Sequence, residues 1–370
     1  MSTLTFNGSN FFRQRLLLST LSGKPITIKN IRSESDEPGI NETEEKFLKL
    51  LDRLTDGSSV ILNETGTTLR YSPGLLLGGK VEMDCGEGRS LGYYLEPLLC
   101  LGPFCKKPLE VTLKGITNDN QDPSVDAIKL SSLPLLKRFI VNDEGLDLVV
   151  VGRGMAPLGG GEAVFRCPVV RGARALQCTD PGKVRRIRGV AYAVRLSPTM
   201  ASRMVDAAKG ILLKFIPDVY IYTDHYKGKH SGKSPGFGLT LVAETTGGSF
   251  YCGEACSEPQ GSEKDFVVPE EIARRAAYEL LEEIYRGGCV DSSNQMLACL
   301  FMALSSTDVS KTKMGPLSDY TIQFLRHIED FMQLRMKLET DHSDQLRLGT
   351  HKVTVTCIGT GFNNVSRVVS

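Results

Sequence analysis

The feature that most limits the fold is a recurrence of apolar helical stripes, each followed by short strand-like runs. Residues 41–55, Asn-Glu-Thr-Glu-Glu-Lys-Phe-Leu-Lys-Leu-Leu-Asp-Arg-Leu-Thr, place Phe47, Leu50, Leu51 and Leu54 at helical spacing, and Asp56-Gly57 closes the segment. Strand-like pieces follow near Val60 to Leu62 and Thr67 to Tyr71. A helix near Ser90–Leu101 then precedes the alternating strand Leu109-Glu-Val-Thr-Leu-Lys. Another near Ser124–Phe139, with a kink expected at Pro134, precedes Leu146-Asp-Leu-Val-Val-Val. Helix followed by strands, in recurring units, predicts a repeated α/β module rather than one doubly wound sheet.

The character changes at Lys183. A basic strand-like run leads into a helix over Pro198–Phe215, a glycine-rich stretch from Gly228 to Gly238, and an apolar strand at Leu239 to Ala243. A long helix, Pro269 to Tyr285, carries Ile272, Ala276, Leu280 and Ile284 on one face. The chain ends in a helix near Tyr320–Met332 and a strand over Lys352–Cys357. Residues 183–281 therefore read as a small α/β domain inserted into a larger one made of 1–182 and 282–370.

Composition narrows the class. The 370 residues carry 44 Lys plus Arg against 43 Asp plus Glu, which excludes a polycation or an acidic tail protein. No uncharged apolar run approaches the roughly 20 residues that span a bilayer. Met296 to Leu304 suits a buried helix instead. The first residues lack the apolar run and cleavage site of a secretory signal, so the expectation is a soluble intracellular protein with no membrane partner. The ten cysteines form no Cys-x-x-Cys unit, and Cys252 and Cys256 have no second pair or nearby histidine to complete a zinc site. They read as buried structural thiols, with no metal and no cofactor expected.

The strongest local motif is Arg153-Gly-Met-Ala-Pro157-Leu-Gly159-Gly160-Gly161-Glu162. Three glycines after a strand let backbone N–H groups approach an anion, and Arg153 adds charge, although glycine spacing alone suits a plain bend equally well. As a whole the motif resembles the signature of the RNA 3′-terminal phosphate cyclase family, Arg/His-Gly-x-x-Pro-x-Gly-Gly-Gly-x-aliphatic. Ala163 stands where a larger aliphatic residue is usual. The segments Gly23–Arg32, Lys114–Asn118, Ala243–Thr245 and Gly287–Asp291 also fall in register with that family. The resemblance covers nearly the whole chain. It implies a large domain of three repeated helix-and-sheet units with a smaller inserted α/β domain.

The same resemblance exposes departures. The family's cyclases use a histidine to attack the α-phosphate of ATP; AMP then passes to an RNA 3′-phosphate, and the adjacent 2′-hydroxyl closes the ring. That nucleophile needs a nitrogen lone pair in place. Set against the family's C-terminal motif, its position falls on Leu317, which cannot form a phosphoramidate. The chain's histidines are His225, His230, His327, His342 and His351. His327 lies roughly 15 Å along a continuous helix from that position, too far for in-line attack, and reads as a surface or packing residue. The family's Asp-Gln pair falls on Met296 and Leu297, and its Gly-Gly-Gly-Gln loop on Asn10-Phe11-Phe12-Arg13-Gln14. Three losses at one site place the chain with a cyclase-like branch that lacks cyclase activity.

That branch implies a non-catalytic factor of ribosome biogenesis in the nucleus and nucleolus. It would act in early pre-rRNA processing within the small-subunit processome and bind a nucleolar GTPase, promoting its nucleotide exchange. Lys183, Arg185, Arg186 and Arg188 are candidate RNA phosphate contacts, with a solvated edge strand as the equal alternative. In helix Tyr320–Met332, Ile322, Leu325, Ile328 and Met332 form the expected core stripe, leaving Arg326 as a candidate partner contact. Gly228-Lys-His-Ser-Gly232-Lys233-Ser234 is one residue short of a Walker A loop and reads as a basic surface loop. The competing reading is an endonuclease cutting pre-rRNA, for which Asp84, Glu87, Asp122, Asp126 and Asp180 are acidic candidates without a distinguishing spacing. Residual cyclase chemistry ranks last.

Overall fold

The computed structural model describes residues 3–259, 267–341 and 349–367. Three four-stranded sheets share one topology. In the first, strand Leu4–Asn7 is joined through helix Phe12–Ser22 to the parallel strand Ile26–Lys29; after helix Glu42–Leu54, strand Ser59–Leu62 precedes Leu69–Ser72, which inserts between it and Ile26–Lys29. The second repeats this order with Gly79–Asp84, Leu109–Gly115, Asp147–Gly152 and Gly161–Cys167, and the third with Gln177–Cys178, Val309–Met314, Lys337–Asp341 and Lys352–Ile358. A parallel pair needs a helical crossover, and each unit supplies one. The mixed α/β fold with three repeated units and a fourth, inserted sheet is thus present.

Local chemistry sets the elements. Asn41 and Glu44 form a reciprocal capping box, which starts helix Glu42–Leu54 at the expected residue. Helix Gln295–Leu304 is buried on every side, as its uninterrupted apolar run predicts. In the stretch 125–139 the irregularity precedes Pro134: a π-helical turn, Ile128–Ser132, leads into Leu133–Phe139, whose first turn holds the proline. The last long helix, Asp319–Met332, buries Thr321, Phe324, His327, Ile328 and Phe331, whereas Ile322 is exposed. Of the expected stripe Ile328 is buried and Leu325 and Met332 pack against the core, while Ile322 falls outside it and Phe324 and Phe331 are buried instead.

The fourth sheet interrupts the third unit between its first strand and first helix. Its order is Val219–Tyr226, Val184–Val194, Gly236–Thr245, Phe250–Cys256, with helices Thr199–Leu212 and Pro269–Arg286 on one face. These elements enclose a separate core that includes Ile187, Met204, Leu241, Ala276 and Leu280. The helix Pro269–Arg286 runs beyond residue 281, and Ile284 packs against that second core. Two buried carboxylates tie this sheet to the body. Glu254 accepts from the Ser124 N–H at 2.9 Å, from its hydroxyl, and from Thr240 at 3.1 Å. Asp291 accepts from Ser131 and from the Cys252 N–H, both at 3.2 Å, and from Asn294. All ten cysteines are free and buried, in keeping with structural thiols. No helix among the described residues is long and apolar enough to cross a membrane.

Candidate functional site

The bulky loop before the first helix forms one wall of a cavity of about 480 Å³, lined also by Arg13, Arg32, Arg89, Tyr93 and Tyr320. Phe11 takes a φ of 58° and its ring lies 6.1 Å from Tyr320 and 6.2 Å from His327. Each arginine meets a carboxylate: Arg13 with Glu96 at 2.9 Å, Arg89 with Asp122 at 2.6 and 2.7 Å, and Arg32 with Glu44 at 3.2 Å. Arg13 and Arg89 also lie over the Tyr93 ring, 4.1 and 4.8 Å from its centroid. Burial pushes the Tyr93 phenol up to about 12, so it stays protonated at neutral pH. The positive charge around this cavity is balanced within the protein.

The residues that the family resemblance sets at the cyclase positions lie in or against the core. Leu317 is partly buried and packs against the main apolar cluster, and Met296 and Leu297 lie inside it. His327 is buried rather than on the surface: its Nδ1–H donates to Gln14 at 3.0 Å, and its Nε2 accepts from Gln323 at 3.2 Å. Burial, helped by the charge of Arg15, lowers its pKa to about 4. Both ring nitrogens are thus hydrogen-bonded, and the lone pair on Nε2 is engaged by the Gln323 amide. His225 bonds the Leu196 carbonyl at 2.9 Å, and His342 lies outside the described residues. Among the described residues, no group of three His, Cys, Asp or Glu is placed to hold a metal ion.

Arg153 and the glycines lie at the joint between the inserted sheet and the body, and Gly160 and Gly161 also line a cavity with Lys114 and Lys233. The Arg153 guanidinium is 2% exposed, makes two bonds to Asp126 at 2.6 and 2.8 Å, and one to Asp224 at 2.9 Å. It also lies 4.6 Å from the Tyr192 ring centroid. Asp224 and Tyr192 belong to the inserted sheet, so Arg153 pins that domain to the body and has no charge left for a ligand. The glycines complete the joint. Gly159 has a φ of +57°, and a Cβ there would stand 2.9 Å from the Gly115 carbonyl carbon. A Cβ on Gly160 would meet Lys233 and Gly232, and one on Gly161 would stand 2.4 Å from the Gly154 nitrogen. The Lys233 N–H donates to the Gly159 carbonyl at 2.9 Å, and the Leu158 N–H to the Ser234 hydroxyl at 3.1 Å. The Walker-like segment keeps Lys229, His230 and Lys233 exposed, as expected of a basic surface loop, but buries Ser231 and Ser234. It interlocks with the triple glycine, a pairing visible in the sequence only as two glycine clusters far apart.

The strand Val184–Val194 is central in its sheet, but the basic run sits at its start: Ile187–Val194 pairs on both sides, whereas Val184 and Arg186 pair on one side only, with Thr245 and Glu244, so that end keeps an edge-like character. Lys183 is exposed; Arg185 and Arg186 donate to Glu244 at 2.7 and 2.6 Å, and Arg188 donates to Asp218 at 2.7 Å. Arg326 is exposed and its guanidinium reaches Gln323 at 3.2 Å. Among the acidic candidates, Asp122 and Asp126 are held by Arg89 and Arg153. Asp180 accepts from the Gly182 N–H. Asp84 and Glu87 line a cavity of about 470 Å³ with Glu42 and Glu162, beside Lys114 and Lys233. The structure does not gather the five acids into one site.

A family model described as RNA 3′-terminal phosphate cyclase matches residues 4–338. The chain is 57% identical over 367 residues to a human RNA 3′-terminal phosphate cyclase-like protein, covering 99% of this chain and 98% of that protein. It is 51% identical over 374 residues to a probable protein of the same description in Drosophila melanogaster, covering 99% and 97%. It is also 41% identical over 366 residues to an rRNA processing protein of Schizosaccharomyces pombe, covering 98% and 97%.

Proposed function

Because the chain belongs to the RNA 3′-terminal phosphate cyclase family, we propose that it serves rRNA processing on that family's scaffold without performing the cyclisation reaction. The observation that carries this reading is Leu317: at the position that the resemblance gives to the cyclases' nucleophilic histidine, the chain has an apolar side chain packed against the core. Met296 and Leu297 inside the same core, and the Phe11 ring in the N-terminal loop, point the same way. Similarity to an rRNA processing protein supports the direction of the change. The finer assignment is a nucleolar factor of the small-subunit processome, acting early in pre-rRNA maturation and bound to a GTPase. Arg326, exposed midway along the chain's last long helix, is the candidate contact for that GTPase.

Affinity capture of the tagged protein from cell extract tests this assignment. Recovery of small-subunit pre-rRNA particles together with a GTPase is the expected result, and recovery of neither overturns it. Cleavage of pre-rRNA by the protein itself is the weaker alternative, since Asp122 and Asp126 are already neutralised by arginines.

A further inference from the structure

The inserted sheet has two unlike faces. One lies under the helices Thr199–Leu212 and Pro269–Arg286, and Ile187, Ala191 and Ile221 are buried there. The opposite face is partly covered by the body, where Val242 and Cys252 meet Ala127. Its far corner is open. Register places Arg188 beside Tyr220 and Val190 beside Tyr222, and Arg186 opposite Glu244. Tyr220 and Tyr222 are 52% and 57% exposed, with ring centroids 4.6 Å apart and planes at 75°.

A single exposed ring needs no explanation, but two adjoining rings beside a row of arginines do. They lie on the edge strand, with Arg185, Arg186 and Arg188 on the next strand, paired among the described residues with Glu244 and Asp218. Arg185 is half exposed, Asp218 is exposed, and Arg186, Arg188 and Glu244 are partly so, which weakens these pairs in water and lets a phosphate compete for the guanidinium groups. An apolar protein partner would find arginines around the two rings, not further apolar surface. Because the rings stand nearly perpendicular, two bases cannot continue one stack over both. Each ring takes one splayed base, which a duplex does not offer.

We propose that this corner is a stacking platform for single-stranded RNA, with Tyr220 and Tyr222 each carrying a base and Arg185, Arg186 and Arg188 holding the intervening phosphates. The identity of the RNA as pre-rRNA rests on the proposed function; the binding itself does not.

The test is fluorescence anisotropy of the full-length protein with a labelled oligouridine ten-mer and with a blunt RNA duplex of equal length. Variants are the Tyr220→Ala, Tyr222→Ala double substitution and Arg188→Gln, each checked for an unchanged thermal transition. Base stacking on an aromatic side chain implies a loss of about tenfold per ring, with the salt dependence unchanged. Arg188→Gln should instead flatten the salt dependence by about one phosphate contact. Equal binding by the tyrosine variant, preference for the duplex, or failure of the wild type to bind oligouridine overturns the platform. So does loss of a co-purifying protein with oligouridine binding intact, which would mark a protein interface. Restoration of rRNA maturation in depleted cells by the wild type reports on the processing role separately, so either reading can fail alone.

Discussion

Arg153→Met offers the sharpest test of the claim that Arg153 joins two domains instead of binding an anion. The substitution keeps an apolar stem and deletes the charge. It leaves Asp126 with one remaining bond from Asn118, in a position where burial alone would raise its pKa and only Arg153 and its neighbours hold it down. Breaking a buried pair of this kind costs about 3–5 kcal/mol. Asp224 is 34% exposed, so its share should stay below about 1 kcal/mol. The expected loss is therefore about 4 kcal/mol in urea unfolding, with protease sensitivity rising in the inserted sheet. In the wild type the lowered pKa of Asp126 adds stability above the unfolded value, lost as pH falls through the folded one. In the variant the sign reverses, because a buried, unpaired carboxyl is stable only when protonated. The difference between the two proteins should grow as pH rises from about 4 to 8. Adding Asp126→Asn should recover about 2 kcal/mol. A loss under about 1 kcal/mol, with no recovery in the double variant, would refute the reasoning.

Three further outcomes are expected. Burial pushes Glu254 and Asp291 each up to about 7, above their unfolded values, so their contribution is fully present below the unfolded pKa and is lost as pH rises toward 7. Thermal unfolding should show stability falling between about pH 4.5 and 7, and Glu254→Gln or Asp291→Asn should flatten that fall; an unchanged profile in both variants contradicts the assignment. Gly159→Ala should cost about 2 kcal/mol, since the added Cβ meets the Gly115 backbone and the φ of +57° disfavours alanine; a neutral effect in denaturant titration would show that the loop can yield. Leu317→His should not create adenylylation: incubation with labelled ATP leaves the protein unlabelled, and the variant loses core packing. A covalent adenylate would mean that the rest of the nucleotide site survives.

Periodicity carried much of the fold. The capped helix Glu42–Leu54 and the alternating strand Leu109–Gly115 are legible because each has one wet face and one dry face. Helix Phe12–Ser22 is not, because it buries Gln14, Arg15, Ser19 and Thr20 together with its leucines, and so shows no polar stripe. The phase of the last long helix was ambiguous for a related reason: Ile322 and Phe324 both start plausible stripes, and only tertiary packing chooses between them. Site residues were legible by type but not by task. Arg153 looks like an anion ligand until Asp126, 27 positions away, and Asp224, 71 positions away, close around it. The expectation at Leu317 is of another kind: it rests on the side chain's lack of a lone pair and needs no knowledge of its neighbours.

The role proposed for this chain is in small-subunit rRNA maturation without cyclase chemistry. The most direct measurement is depletion of the protein in cells, followed by quantification of small-subunit rRNA and its precursors by hybridisation. Re-expression of the wild-type chain and of a Leu317→Ala variant completes the comparison. The account predicts that depletion lowers mature small-subunit rRNA and accumulates its precursors, and that both chains restore them. Unchanged rRNA on depletion would contradict it.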